Sequence, residues 1–224
     1  MTGIIQRFFD IIFSAIALFL LVPLLLPLIA ILKFTGEGEI FYIQQRIGKN
    51  GMSFGLFKFA TMLKNSPSLG HGDITVRNDP RVLPIGNLLR KTKLNELPQL
   101  INILNGDMSI VGPRPHTPKN YNLYNSEIKK IVNTQRPGLT GIGSIVFRDE
   151  ESILENSENK QEFYANVIVP YKGELEKWYI ENVDIIKYFM IIFLTAWYIF
   201  KPESRLVWSV FVGLPKPPAE LKIR

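Results

Sequence analysis

The residues best suited to chemistry lie between Arg90 and Pro115, in the run RKTKLNELPQLINILNGDMSIVGPRP. Arg90, Lys91 and Lys93 crowd positive charge just ahead of Asn95 and Glu96, and Glu96 is the carboxylate of that cluster. Asn95 directly precedes an apolar-periodic run with Pro98 in its first turn, which is an N-cap pattern. A helix N-terminus offers free N–H groups and partial positive charge, so a phosphate is expected to dock there, helped by the basic residues upstream. Downstream, Pro113 and Pro115 restrict the backbone around Arg114, whose planar fork suits bidentate phosphate contact. Arg136-Pro137-Gly138, followed by Thr140-Gly141, is another stiff turn presenting a guanidinium. Each pattern also has a plainer reading: a surface helix start with a solvated basic patch, and two structural turns. The same holds for His71 and Asp73 in SPSLGHGD, which could ligate a metal or be solvated loop residues.

Such a cluster must be held by elements, and the pattern supplies them. Ile85 to Arg90 and Glu96 to Leu104 carry apolar residues at helical spacing, with Asn105-Gly106 as a stop. Glu39 to Ile47 and Met52 to Phe59 are apolar and aromatic runs flanking Gly48-Lys49-Asn50-Gly51, where Asn-Gly supplies the positive φ of a hairpin turn. Tyr121 to Thr134 and Tyr171 to Glu181 read as amphipathic helices.

Ile11 to Leu32 is 22 residues without a charge, about 33 Å as a straight helix and close to the hydrocarbon thickness of a bilayer. The run exceeds a signal-peptide core and lacks a small-x-small cleavage site. Pro23 and Pro27 should bend the helix near Phe19 to Pro23, and basic residues flank both ends, so a re-entrant helix is expected rather than a span. Tyr188 to Phe200 is too short to span; its row Phe189, Phe193, Trp197 and Phe200 fits an interfacial helix or a buried core helix. The expected class is mixed α/β, mainly helical: a monotopic membrane domain with a re-entrant helix (1–34), a cytoplasmic domain (35–200) including an interfacial helix (185–200), and a C-terminal tail (201–224).

Composition bounds the function. With 46% hydrophobic and 21% charged residues the 224-residue chain is not a disordered one, and zero cysteines exclude a disulfide scaffold, a thiolate zinc site and a Cys nucleophile. A net charge of +6 suits nucleic acid, an anionic membrane surface or a phosphorylated substrate. The basic residues lack a ladder of exposed aromatics outside the membrane stretches, which argues against nucleic acid.

The order of motifs then becomes recognisable: Gln45-Arg46-Ile47-Gly48, Lys58-Phe59-Ala60-Thr61-Met62, Asp79-Pro80-Arg81-Val82, Asn95-Glu96-Leu97-Pro98-Gln99-Leu100, Gly106-Asp107-Met108-Ser109, Val111-Gly112-Pro113-Arg114-Pro115 and Arg136-Pro137-Gly138-Leu139-Thr140-Gly141. The chain resembles the bacterial sugar transferases, and among them a small monotopic phosphoglycosyltransferase, from Gln6 to about Phe200. The resemblance implies transfer of a phosphosugar from a UDP-sugar to a polyprenyl (undecaprenyl) phosphate with Mg²⁺ and release of UMP, at the cytoplasmic face of the bacterial inner membrane. It implies Glu96 and Asn95 as the catalytic pair, Arg90, Lys91, Arg114 and Arg136 as phosphate contacts, and Glu96 with Asp107 as metal ligands. Membrane lipids, a second copy or glycosyltransferases are the implied partners. Two departures stand out. The family usually has Asp, the nucleophile, where this chain has Asn95, and an amide is a poor nucleophile. It commonly has Arg at the position of Ala60. Glu96 as nucleophile, direct attack by the lipid phosphate, or an inactive membrane scaffold are the resulting alternatives.

Overall fold

The computed structural model describes residues 2–66, 79–155 and 159–221, so His71 and Asp73 lie outside the described residues. The first element, α1 (Thr2–Phe34), stays helical through Pro23 and Pro27. Each proline withholds one N–H from the carbonyl four residues earlier, yet neither ends the helix as assigned. The bend expected near Phe19 to Pro23 is therefore not a break in secondary structure.

The way α1 is seated matters more than its length. Its first turns are fixed by polar contacts: Gln6 Nε2 donates to Ser109 Oγ and the Val111 carbonyl, both at 2.9 Å. Arg7 donates to the Ile103 and Leu104 carbonyls. Asp10 is 2% exposed and accepts from Ser109 Oγ, the Ile110 N–H and the Tyr188 hydroxyl. Further along, Ala17, Leu18 and Leu21 pack on Leu56, Leu100, Ile103 and Met108. Leu25, Leu28, Ile29 and Leu32 then pack around Phe59 and Leu89. One side of the helix is thus covered by the same folded body from Gln6 to Leu32. The other side leaves Phe8, Phe19, Leu20, Leu26 and Phe34 exposed.

The hairpin forms as its sequence requires. Strands β1 (Phe41–Ile47) and β2 (Ser53–Phe59) pair antiparallel in the register Phe41↔Phe59 to Ile47↔Ser53. Asn50 and Gly51 supply the positive φ angles, 58° and 72°, at the turn. Helix α2 (Pro84–Lys91) follows, then a 3₁₀ turn Leu94–Glu96, then α3 (Gln99–Asn105), which ends on Gly106 at φ 93°. Asn102 ties α3 to the hairpin: its Oδ1 accepts from the Phe57 N–H at 2.9 Å and its Nδ2 donates to the Gly55 carbonyl at 2.8 Å.

Strands β3 (Ser109–Val111) and β4 (Gly138–Thr140) run parallel, joined through α4 (Pro118–Asn122) and α5 (Ser126–Val132). A side chain at Gly138 would sit 2.1 Å from the Gly112 nitrogen, so the two backbones cross where only glycine fits. Helices α6 (Ile142–Val146), α7 (Glu150–Glu155) and α8 (Lys160–Phe163) lead through a wide turn, Tyr164–Ile168, into α9 (Val169–Asn182) and α10 (Ile185–Phe200). Tyr188, Ile191, Leu194 and Tyr198 of α10 are buried in the main core with Ile142, Leu175 and Tyr179. Phe189, Phe193, Trp197 and Phe200 face outward, so α10 is a core helix on one side and carries exposed aromatic residues on the other. The stretch beyond α10 folds onto this core: Val207 of α11 (Leu206–Val210), Phe211, Leu214 and Leu221 are buried in it.

Candidate active site

A wide cleft of about 2830 Å³ opens between the hairpin, the α2–α3 connection, α6 and α10. Arg46, Lys58, Arg90, Lys93, Arg114 and Glu96 are among the side chains that line it, together with Lys91 and Asn95. Most of the sequence-identified cluster therefore meets on one surface.

Asn95 and Glu96 occupy the 3₁₀ turn, reached through Lys93 at φ 61°, a left-handed conformation uncommon for a residue with a side chain. The helix cap expected of Asn95 is not made: α3 begins later, its N-cap is Pro98, and no side chain caps it. A tight turn with Pro98 behind it delays the α-helix by a few residues. Freed of capping, Asn95 is 6% exposed with an Oδ1 that finds no hydrogen-bond partner among the described residues. Burying an unsatisfied amide oxygen costs on the order of 1–3 kcal/mol, which marks it as a site awaiting a donor or a cation.

Glu96 sits among positive charge. Burial raises its pKa, but Arg114, Lys58, Lys93 and Arg46 together outweigh burial and hold the carboxyl below its ordinary value. Lys58 is pushed down to about 7, by burial first and then by Arg46, Arg114 and Arg90, with Glu96 opposing. Arg46 is oriented by donating to the Pro115 carbonyl at 3.0 Å and to Gln44 Oε1 at 2.6 Å. Arg114 is exposed, 3.5 Å from Ser144 Oγ, and Arg90 lies 3.7 Å from Met62 Sδ. One carboxylate inside a set of cations whose charges are not neutralised by it is the electrostatic form of a phosphate site.

Two expected contacts lie elsewhere. Arg136 is not in the cleft lining; its Nε donates to the Gly106 carbonyl at 2.8 Å, so it caps the end of α3. Asp107 is not in the lining either, and its Oδ2 accepts from Asn102 Nδ2 at 3.2 Å, supporting the residue that clamps the hairpin. Among the described residues no group of three or more His, Asp or Glu side chains is placed to hold a metal.

Behind Arg114 lies a buried polar group. Glu176, 2% exposed, accepts the Arg114 N–H at Oε1 while its Oε2 has no partner among the described residues, and burial pushes its pKa up to about 7. Lys172 donates to Glu150 Oε1 at 2.7 Å and lies over the Phe147 and Tyr164 rings. His116, kept neutral by burial and by Lys172, Arg114 and Arg46, meets the Tyr124 hydroxyl at 2.9 Å. Lys58, Arg46, Lys172 and Glu176 were not singled out as site candidates from sequence. The signal available was a charged residue on an otherwise apolar strand or helix face.

A cleft rich in cations is the form of a site for phosphorylated substrates, and comparison with known proteins points the same way. The model of the bacterial sugar transferase family matches residues 1–202, and the chain belongs to that family. It is 42% identical over 164 residues to the exopolysaccharide production protein ExoY of Sinorhizobium fredii, covering 67% of this chain and 72% of that one. It is 36% identical over 165 residues to the UDP-glucose:undecaprenyl-phosphate glucose-1-phosphate transferase of Escherichia coli, covering 71% of this chain and 35% of that one. With the undecaprenyl-phosphate galactose phosphotransferase of Salmonella typhimurium it shares 30% over 207 residues, 86% of this chain and 40% of the relative.

Proposed function

We propose that the chain transfers a sugar 1-phosphate from a UDP-sugar to undecaprenyl phosphate, releasing UMP, as the first membrane step of bacterial surface-glycan assembly. The carrying observation is Glu96 set among Arg114, Lys58, Lys93 and Arg46 in one cleft, with charges that hold its carboxyl below the ordinary value. The relatives named for transfer to undecaprenyl phosphate supply the reaction class.

In this reading the arginines and lysines hold the two phosphates of the donor and the phosphate of the acceptor. The bond broken joins the sugar-bearing phosphorus to the bridging oxygen, which departs with UMP; the new bond runs from that phosphorus to the lipid phosphate. Cations spread over the cleft offset the negative charge that would otherwise keep two phosphorylated substrates apart. Glu96 stays deprotonated here, available to attack the phosphorus or to orient an ion that accompanies the diphosphate. Asn95, being an amide, takes the part of a neutral oxygen ligand.

Mg²⁺ fits the donor set: the unpartnered Asn95 Oδ1 and the Glu96 carboxylate are adjacent hard oxygen ligands, with substrate phosphates and water to complete the shell. Bound there, the ion would offset negative charge on the donor diphosphate and on the departing UMP. The chain's own work is to hold Asn95 and Glu96 side by side in the cleft lining, through Lys93 at positive φ and the short turn.

The membrane seat follows from α1. A helix covered along one side by the folded body from Gln6 to Leu32 enters the bilayer together with that body, which supports a monotopic domain on the cytoplasmic face of the inner membrane.

The test is UMP release from a panel of UDP-sugars with undecaprenyl phosphate in nanodiscs. Wild type releases UMP; Glu96→Gln lowers the rate by about 10² or more while leaving Tm in place. Intact-protein mass spectrometry of the donor-only complex detects a phosphosugar on Glu96 if the carboxylate attacks, and finds none if the lipid phosphate attacks directly. Absence of UMP release from wild type and from Asn95→Asp alike would replace the enzyme reading with an inactive scaffold.

A further inference from the structure

Helix α10 presents three rows rather than two. At about 100° per residue, Tyr188, Ile191, Leu194 and Tyr198 fall on the buried side, and Phe189, Phe193, Trp197 and Phe200 on the outward side. Between them lies a third row, Ile192, Thr195, Ala196 and Ile199, and all four of these residues line the catalytic cleft. This row is apolar apart from Thr195, whose hydroxyl is engaged with the Thr140 hydroxyl at 2.7 Å. It covers about 10 Å of helix length and merges at Ala196 with the exposed outward row.

The same cleft carries the cations. Ser144, next to Arg114, belongs to α6, and α6 packs against α10. A ligand with a charged end and an apolar end finds both chemistries in this lining: guanidinium and ammonium groups, and the third row of α10, which adjoins the exposed outward row. A nucleotide sugar is polar throughout and gains nothing from Ile192, Ala196 and Ile199. An isoprenoid phosphate matches both ends.

We propose that the third row of α10 is the acceptor groove: the isoprenoid chain of the polyprenyl phosphate lies along Ile192, Ala196 and Ile199, entering from the membrane across α10 with its phosphate toward Arg114. The nucleotide sugar then occupies the opposite, polar side of the cleft near Arg90 and Lys91. This rests on the transfer reaction proposed above and adds which wall takes which substrate.

The experiment uses the full chain in phospholipid nanodiscs with a polyprenyl phosphate carrying a photoreactive diazirine in its isoprenoid chain and no donor present. Peptide mapping is expected to place the label on residues 192–199, and excess undecaprenyl phosphate should remove it while excess bulk phospholipid or undecaprenol does not. Ala196 is exposed, so Ala196→Trp is accommodated by the fold, which an unchanged Tm verifies. Its KM for undecaprenyl phosphate should rise by at least about tenfold with the KM for UDP-sugar unchanged. Label confined to α1 or the hairpin, equal displacement by phospholipid, or an unchanged acceptor KM in Ala196→Trp overturns the proposal. If labelling behaves as expected but wild type releases no UMP, the groove stands and the transferase reading falls.

Discussion

At the scale of single residues, the site is governed by groups whose charge depends on one another. Lys58, held to about 7, is largely neutral at pH 8 in the empty cleft. A bound diphosphate brings negative charge that restores the ammonium, so UDP binding at pH 8 should take up about one proton per site. Calorimetry in buffers of different ionisation enthalpy measures this, and the uptake should vanish in Lys58→Gln. Glu176 acts with the opposite sign. Its folded pKa, about 7, lies above the ordinary 4.5, so the folded state retains a proton the unfolded chain has lost. Its contribution is full below pH 4.5 and is lost as pH rises through 7, by on the order of 3 kcal/mol at most. Glu176→Gln should flatten the fall in Tm between pH 5 and 7.5. Both groups escape a reading by pattern. Lys172 and Glu176, four apart on α9, look like a solvated helix pair, whereas both are buried and Lys172 turns to Glu150 instead. Arg114 was legible because prolines flank it; as the exposed planar fork of the cleft, its change to Lys should lower turnover at least about tenfold with Tm unchanged.

At the scale of elements, short-range chemistry wrote the hairpin and α2 plainly: Asn50-Gly51 demanded a turn, and Ile85 with Leu88 and Leu89 demanded a helix. The stop of α3 at Gly106 was equally local. Its start was not. The pattern Asn-Glu-Leu-Pro satisfies a cap on paper, but a 3₁₀ turn meets the same sequence preferences, and only the packing of Leu94 and Leu97 beside α1 selects it. Arg136-Pro137-Gly138 misled for a related reason, since its stiffness serves the crossing of Gly138 over Gly112 rather than presentation of the guanidinium. For α1 the decisive facts are long-range: Asp10 to Tyr188 and Arg7 to the end of α3 connect parts of the chain far apart in sequence. On the monotopic seat proposed above, a helix tied to the folded body at its start and packed on Phe59 and Leu89 toward its end has both ends on one side of the bilayer. Cysteines introduced singly at Gly3 and Thr35 should react with an impermeant maleimide from the same side in oriented vesicles, and labelling from opposite sides would establish a span.

At the scale of the whole molecule, membrane helix and catalytic body share their core. Leu56, Phe59, Leu89, Leu100, Ile103 and Met108 are buried in clusters that α1 side chains help to form, and Ser109 has Asp10 and Gln6 as its side-chain partners. Removing residues 1–34 would expose these side chains together, a loss of several kcal/mol at about 25 cal/mol per Å². A fragment of residues 35–224 should therefore aggregate or show no cooperative melt by calorimetry. The consequence reaches back to biogenesis. Asp10 is synthesised 178 residues before its partner Tyr188. The carboxylate therefore gains its donors in two stages, Ser109 Oγ and the Ile110 N–H first and the Tyr188 hydroxyl only once α10 has been made, so the seat of α1 is completed late.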